Sequence, residues 1–455
     1  MHPAKAVVKL ISCNFDSREG KTDVPSFVLA PGIFFCTLVM VIWRPRQVNE
    51  AVPALAGALA ALLTGIVTWR DFWLVGHMVW NATFALVAIM IISSILDHVG
   101  FFRWAALVLA RKVGGSGYRL FLLVIVLGSL ITIFFNNDGS VLILTPIVYG
   151  MMTEMGWPQK KVLPFVMACG FIADTASIPL VVSNLVNILT ADYLRLSFVD
   201  YAARMLVPGL AGILASAVVL FLFYRRDIPP RFDQDRIQDP RGAVKDWWLC
   251  RFALGILGAV VIGYFIGSWY RVPVSLVAGT GSMILILASI YRGSIDTRSI
   301  LRGAPWPIVA FAMGMYLVVY GLGNQGLTVV LGGLLQRLVE NSPLKGSLMS
   351  GGMFSLVAAV MNNLPSAMTS SLTVAAAPLA PEVKEAAALA SIVGNDIGPK
   401  MTPIGSLATL MWMHILRQKG VTISWGYYMR VGLTITPPVL LVTLLSLHWW
   451  LTLLR

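Results

Sequence analysis

Two asparagine doublets and three aspartates lie inside runs otherwise hydrophobic enough to sit in lipid. The stretch FFNNDGSVLILTP holds Asn136, Asn137 and Asp138, and FIADTASIPLVVSNLVN holds Asp174, Ser183 and Asn184. Later in the chain VMNNLPS holds Asn362 and Asn363, and IVGNDIGPKMTPIGS holds Asn395, Asp396, Lys400 and Thr402. A carboxylate at bilayer depth costs at least about 2.5–3.5 kcal/mol, so it needs a partner, water or a proton. Asp138, Asp174 and Asp396 are therefore candidate proton carriers. Lys400, four residues after Asp396, is an ion-pair partner able to pass between Asp396 and Asp174. Amides, hydroxyls and free backbone groups at a helix break can replace a solute's hydration shell. Asn136, Asn137, Ser183, Asn184, Asn362, Asn363, Asn395 and Thr402 supply such groups, and amides suit a neutral, hydroxyl-bearing solute better than a bare ion. The plainer readings are asparagines that cap hairpin arms, carboxylates satisfied at helix starts, and a fixed Lys400 ion pair.

These groups come as two matched sets. Asn136-Asn137 is echoed by Asn362-Asn363, 226 residues on, and Asp174 by Asp396, 222 residues on. Paired, broken hydrophobic segments in two halves are the sequence mark of a secondary transporter's binding site. The first half has no lysine matching Lys400, so the symmetry is partial.

The 455 residues are 57% hydrophobic and 12% charged, where a soluble domain carries roughly 25% charge. The chain reads as an all-α polytopic membrane protein. Its net charge of +13 sits in short loops between spans, which fits loops facing anionic lipid and not nucleic acid. The four cysteines form no CxxC pair and the five histidines no HExxH, so neither a metal site nor a cofactor is suggested. Cys169, five residues before Asp174, is a conceivable soft ligand, but thiolate capture uses two or three sulfurs, and a small apolar packing role is the simpler reading.

Residues 1–25 are a polar extension with no signal-peptide pattern. In the first repeat, 26–224, spans are expected at 26–43, 51–68, 79–96 and 203–224. An interfacial helix is expected at 101–113, paired arms over 119–153 meeting at Asn136–Gly139, and a helix over 162–190 broken between Asp174 and Pro179. Residues 225–247 are a charged, proline-bearing linker. The second repeat, 248–455, has spans at 248–267, 273–291, 306–322 and 428–451 and an amphipathic stretch at 324–340. Its arms, 347–378, meet at Asn362-Asn363, and its long segment, 386–417, is broken between Gly394 and Gly405. Paired arms that re-enter give five crossings per half and an inverted second half; arms that each cross give seven. Re-entrant hairpins are preferred because they place the asparagine tips at a mid-membrane site. The architecture expected is two inverted-topology repeats with about ten spanning helices, two re-entrant hairpins and two broken helices. The side holding linker 225–247 carries 21 Lys and Arg and the other side 12, which makes the linker side cytoplasmic and both termini periplasmic.

Longer motifs carry a resemblance. VWNATFALVAIMIISSILDHVGFFRWAALVLAR, NDGSVLILTPIV, FVMACGFIADTASIPLVVSNLVNI, MNNLPS, GNDIGPKMTPIGSLATLMWMHIL and TISWGYYMR resemble the bacterial arsenite efflux permeases (ArsB type), from about residue 27 to about 450. The resemblance implies export of trivalent arsenite and antimonite across the inner membrane, driven by the proton-motive force, with arsenical resistance as the outcome. It also implies association in some cases with a cytoplasmic ATPase (ArsA type), and membership of the ion transporter superfamily with its inverted repeats. Related dicarboxylate carriers have Ser-Asn-Thr at their hairpin tips, whereas this chain has Asn-Asn-Asp-Gly and Asn-Asn-Leu-Pro. The alternatives are a sodium-coupled anion or neutral-solute carrier of the same superfamily and the membrane subunit of an ATP-driven arsenite pump. An embedded enzyme and a channel fit less well, since no nucleophile–base spacing is present and paired breaks suit a two-state carrier.

Overall fold

Apolar length decides which segments become long helices. In the computed structural model, which describes residues 24–43 and 48–455, the described chain is helical with no named strand. Among the described residues eight helices are long and apolar enough to cross a membrane: Trp69–Val99, Gly117–Phe134, Phe198–Tyr224, Trp247–Trp269, Val274–Arg292, Thr297–Asn324, Pro343–Met361 and Trp425–Leu453. The apolar helices Val28–Trp43, Ala51–Leu63, Leu185–Leu194 and Leu327–Val339 are shorter. Most of the expected N-terminal extension, 1–25, lies outside the described residues.

Several expected spans have different bounds: the one expected at 203–224 begins at Phe198, and two others show a local cause. The segment 51–68 is helical only over Ala51–Leu63, about 20 Å long, because Gly65 takes a left-handed φ of 74° and ends it. The span expected at 79–96 begins at Trp69. Thr68 and Asp71 form a reciprocal cap there, with Thr68 Oγ1 accepting from the Asp71 N–H at 3.3 Å and Asp71 accepting from the Thr68 N–H at 2.8 Å.

Two opposite ends of the bundle are fixed by the 27-residue helix Phe198–Tyr224, about 40 Å long. Near its start, Arg204 pairs with Glu385 at 2.8 Å, and Glu382 there meets Arg455 at 2.9 Å. Its other end leads into linker 225–247. The linker is built into the bundle: the Gly117 N–H donates to the Pro230 carbonyl at 3.2 Å, Gln238 to Glu154 at 3.0 Å, and the Lys245 N–H to the Val99 carbonyl at 2.9 Å. At its close, Asp246 caps Trp247–Trp269 through the Trp248 and Leu249 N–H groups and accepts from Arg292 at 3.0 Å. Burial works against the Asp246 charge. Arg292, the Leu249 N–H and Ser294 outweigh it and hold the carboxyl down to about 2.

Four segments meet between these ends. The arms Gly117–Phe134 and Asn137–Glu154 both root at the linker end, through Gly117 and Glu154, and join at the buried Asn136. The arms Pro343–Met361 and Asn363–Ala376 root at the other end. There Gly346 packs on Val383, and Lys384 Nζ donates to the Ala375 carbonyl at 2.5 Å. Gln159–Ala176 starts at the linker end, where Gln159 donates to the Gly420 carbonyl, and continues as Leu185–Leu194 after a break. Pro381–Ile397 starts at the other end and continues as Leu407–Gln418, which finishes beside Tyr149, the donor to the Lys419 carbonyl.

Glycines let the last helix of each half press on a break. A Cβ at Gly209 would come within 2.6 Å of Pro179 Cγ, and one at Gly432 within 2.1 Å of the Lys400 carbonyl.

Candidate functional site

Each asparagine doublet ends one arm and starts the next. Asn136 Oδ1 accepts from the Asp138 N–H at 2.8 Å and from the Gly139 N–H at 3.4 Å, and Asn362 Oδ1 accepts from the Leu364 N–H at 3.2 Å. Both satisfy N–H groups that a helix start leaves open. Their backbones differ. Asn136 is extended at φ 171°, whereas Asn362 is at φ 78°, ψ 152°, a region that favours glycine. The tips are pinned to the breaks by a matched pair of bonds. Ser183 Oγ donates to the Ile133 carbonyl at 2.5 Å, and Thr402 Oγ1 donates to the Ala359 carbonyl. Ile133 and Ala359 each lie three residues before the first asparagine of their doublet. The second tip gains one more tie, from the Asn363 N–H to the Gly405 carbonyl at 2.9 Å.

The two breaks meet each other. Asp396, 1% exposed, accepts at Oδ2 from Ser177 Oγ and at Oδ1 from Asn184 Nδ2, both at 2.8 Å. Both donors belong to the other half of the chain. Lys400, 2% exposed, crosses in the same sense and donates to the Thr175 hydroxyl, which shares a 3.0 Å hydrogen bond with Ser216. Its charge acts on both Asp174 and Asp396. Asp174 has a thinner shell, with one long contact of 3.4 Å from Asn137 Nδ2 at the first tip. Asp138 is half-buried beside Asp174 and interacts with its charge.

Asn395 faces away from this junction. It donates to Ser370 at 2.8 Å and accepts from Ser366 at 2.6 Å, so it joins its helix to the arm Asn363–Ala376. Cys169 is buried. Among the described residues no second free thiol accompanies it at the junction, and no group of three or more His, Cys, Asp and Glu is arranged to hold a metal ion.

The sequence reading missed Thr175, Ser177 and Asn187. Asn187 is fully buried and donates to the Ser177 carbonyl at 2.8 Å, while its Oδ1 has no partner; Asn137 Oδ1 is also buried and unpartnered. The NLVN spacing, which places Asn187 three residues after Asn184 on the same helix face, was the available signal. Two cavities lie elsewhere. One is an apolar crevice between Phe134, Phe135, Leu180 and the helix carrying Val260 and Tyr264; the other is at the linker end.

With its cross-bonded breaks, the junction holds three carboxylates, one ammonium and two unpaired amide oxygens inside an apolar bundle. Such a group offers hydrogen-bond acceptors, donors and ionisable groups in one place.

A family profile described as arsenical pump membrane protein matches residues 29–451. Arsenical pump membrane proteins of Escherichia coli (strain K12) and Yersinia enterocolitica are each 45% identical over 420 residues, covering 92% of this chain and 98% of theirs. A 46 kDa membrane protein of Mycobacterium leprae (strain TN) is 24% identical over 437 residues, with 93% and 98% covered. Among solved structures, the YdaH transporter of Alcanivorax borkumensis superposes with a TM-score of 0.54 at 15% identity, over 92% of this chain and 98% of that one. This last likeness speaks for the fold alone.

Proposed function

The chain belongs to the arsenical pump membrane protein family, and from that premise we propose that it exports trivalent arsenite, and antimonite, across the bacterial inner membrane in exchange for protons. The observation that carries the reading is the junction itself. Asp396 is bonded by Ser177 and Asn184, Lys400 by Thr175, and Asp174 is met by the first hairpin tip.

Arsenite at neutral pH is largely As(OH)3, an uncharged triol. Its hydroxyls donate, and Asn137 Oδ1 and Asn187 Oδ1 are buried acceptors without donors. A buried acceptor left unpaired costs about 1–3 kcal/mol, which a bound hydroxyl relieves. Its oxygens accept, and Asn137 Nδ2 and Lys400 Nζ donate. Such a site holds the solute without thiols and also releases it, as an exporter must.

The carboxylates divide the work in this reading. Asp396 spends both oxygens on neutral donors of the other half and acts as the cross-link between the breaks. Asp174, with one weak neutral donor and the Lys400 charge to balance, is the coupling group, and Asp138 beside it is the entry point for protons. Protonating Asp174 frees Lys400 from its charge. That loosens the junction and lets the tip and the break change partners.

The two halves are read as inverted repeats with re-entrant hairpins. The first pair of arms roots at the linker end and the second pair at the opposite end, and the broken helices run in opposite directions. The linker end is cytoplasmic by its excess of Lys and Arg, so the first tip is reached from the cytoplasm and the second from outside. A cytoplasmic ATPase, where one is used, would meet this linker end.

The test is arsenite uptake into everted membrane vesicles from cells expressing the chain alone. An interior-acid pH gradient is expected to drive accumulation, and a protonophore to abolish it. Accumulation that ignores the gradient and needs sodium or ATP would overturn proton exchange.

A further inference from the structure

At the linker end the surface is concave where it meets the lipid-facing side. The hollow is lined by Tyr118, Phe221, Arg225, Arg226, Ile228 and Pro230. Arg225 and Arg226 are exposed and have no hydrogen-bond or ion-pair partner among the described residues. Arg103, Arg111 and Arg292 at the same end are each held, by Gln238, by the Ile237 carbonyl and by Asp246. The neighbouring acid, Asp227, interacts with the hydroxyls of Tyr224 and Tyr427.

Two apolar ridges lead from this hollow towards the middle of the bundle. On Phe198–Tyr224 the exposed residues fall at every fourth position from Leu206 to Leu222. On Gly117–Phe134 the exposed apolar residues do so from Tyr118 to Phe134, with Arg119 also exposed beside the hollow. The two helices are neighbours, with the Tyr118 and Phe221 rings 5.7 Å apart, centroid to centroid.

We propose that this hollow is a binding site for an anionic phospholipid, its phosphate held by Arg225 and Arg226 and its acyl chains lying along the two ridges. The planar fork of an arginine meets two phosphate oxygens at once through parallel N–H bonds, whereas a lysine acts as a point charge. The apolar floor of Ile228 and Pro230 and the continuous ridges select a lipid over free phosphate, which gains nothing from either. The position gives the lipid a task. The Pro230 carbonyl holds the Gly117 N–H, and Ser116 bridges Arg231, so a headgroup seated here braces the root of the first hairpin.

The experiment is native mass spectrometry of the full chain in a neutral detergent, titrated with phosphatidylglycerol, phosphatidylcholine or inorganic phosphate. Wild type is expected to bind one phosphatidylglycerol roughly thirtyfold more tightly than R225Q/R226Q, which corresponds to about 1 kcal/mol per arginine. Phosphatidylcholine is expected to bind both proteins alike, and equimolar inorganic phosphate to displace nothing. Should the double variant fail to fold, Arg225→Gln and Arg226→Gln singly are each expected to lose about fivefold. Equal phosphatidylglycerol affinity in wild type and variants overturns the site. Displacement of the lipid by equimolar phosphate overturns the lipid as its occupant.

Discussion

Replacing the tip asparagines by glycine, one at a time, should give stability changes that differ by the strain at a single residue. Asn136 and Asn362 do the same local work, each accepting a backbone N–H at the start of the following arm. Changing either to glycine loses a cap, worth a few tenths of a kcal/mol against Gly, and adds unfolded-state entropy worth about 0.4–1 kcal/mol. Both terms are common to the two sites. The backbone is not, because Asn136 is extended while Asn362 holds φ 78°, ψ 152°, at a strain of about 1–3 kcal/mol that glycine removes. Asn136→Gly is therefore expected to destabilise by about 1 kcal/mol, and Asn362→Gly to be neutral or stabilising by about 1 kcal/mol. The common terms cancel in the difference, leaving about 2 kcal/mol of strain alone. Equilibrium unfolding of the purified variants in mixed micelles reads it. Equal losses at both sites would refute strain at the second tip.

Other expectations follow from single contacts. Ser177→Ala removes a hydroxyl whose one proton is shared between Asp396 Oδ2 and the Asp174 carbonyl, and a typical hydrogen bond is worth about 0.5–1.5 kcal/mol, so equilibrium unfolding should show a loss of that size. Gly432→Ala drives a Cβ into the Lys400 carbonyl and should lower the yield of folded protein sharply, as measured by size-exclusion chromatography in detergent. Lys400→Met alone leaves buried acids without their counter-charge, at about 3–5 kcal/mol if they stay ionised. Adding Asp174→Asn should restore part of the loss, and a double-mutant cycle measures the coupling. For Asp246 the folded pKa, about 2, lies below the ordinary carboxylate value of 3.8. Its stabilisation is therefore full above about pH 4 and is lost as the pH falls through about 2, and Asp246→Asn should remove that part of the stability–pH profile.

Much of this was legible in the sequence because lipid-soluble runs make polar residues conspicuous. Asn136-Asn137 and Asn362-Asn363 could be read as the ends of arms, and the segments around Asp174 and Asp396 as breaks, from single residues out of place. The all-helical membrane fold followed from composition. Helix bounds were less legible: Thr68 with Asp71 starts a helix ten residues ahead of the apolar run at 79–96, and Gly65 stops another before it reaches spanning length. The pairing at the junction was not legible at all. Ser177 and Asn184 reach Asp396 across more than 200 residues of chain, and Thr175 takes Lys400. Nothing local to either segment encodes such contacts; they depend on how the halves pack. For the same reason Asp174 and Asp396, twins in sequence, sit in unlike surroundings. The linker is a similar case. Its charges and prolines mark it as a linker without showing that its backbone closes the roots of the first pair of arms.

The most direct measurement is pH-gradient-driven arsenite uptake into everted vesicles for wild type, Asp174→Asn and Asp396→Asn, alongside equilibrium arsenite binding to the purified proteins. If Asp174 carries the proton, Asp174→Asn binds arsenite but no longer responds to the gradient. Asp396→Asn, by contrast, loses folded protein and keeps gradient dependence in whatever fraction folds. Normal gradient-driven uptake by Asp174→Asn would contradict the assignment and leave the coupling proton to another group.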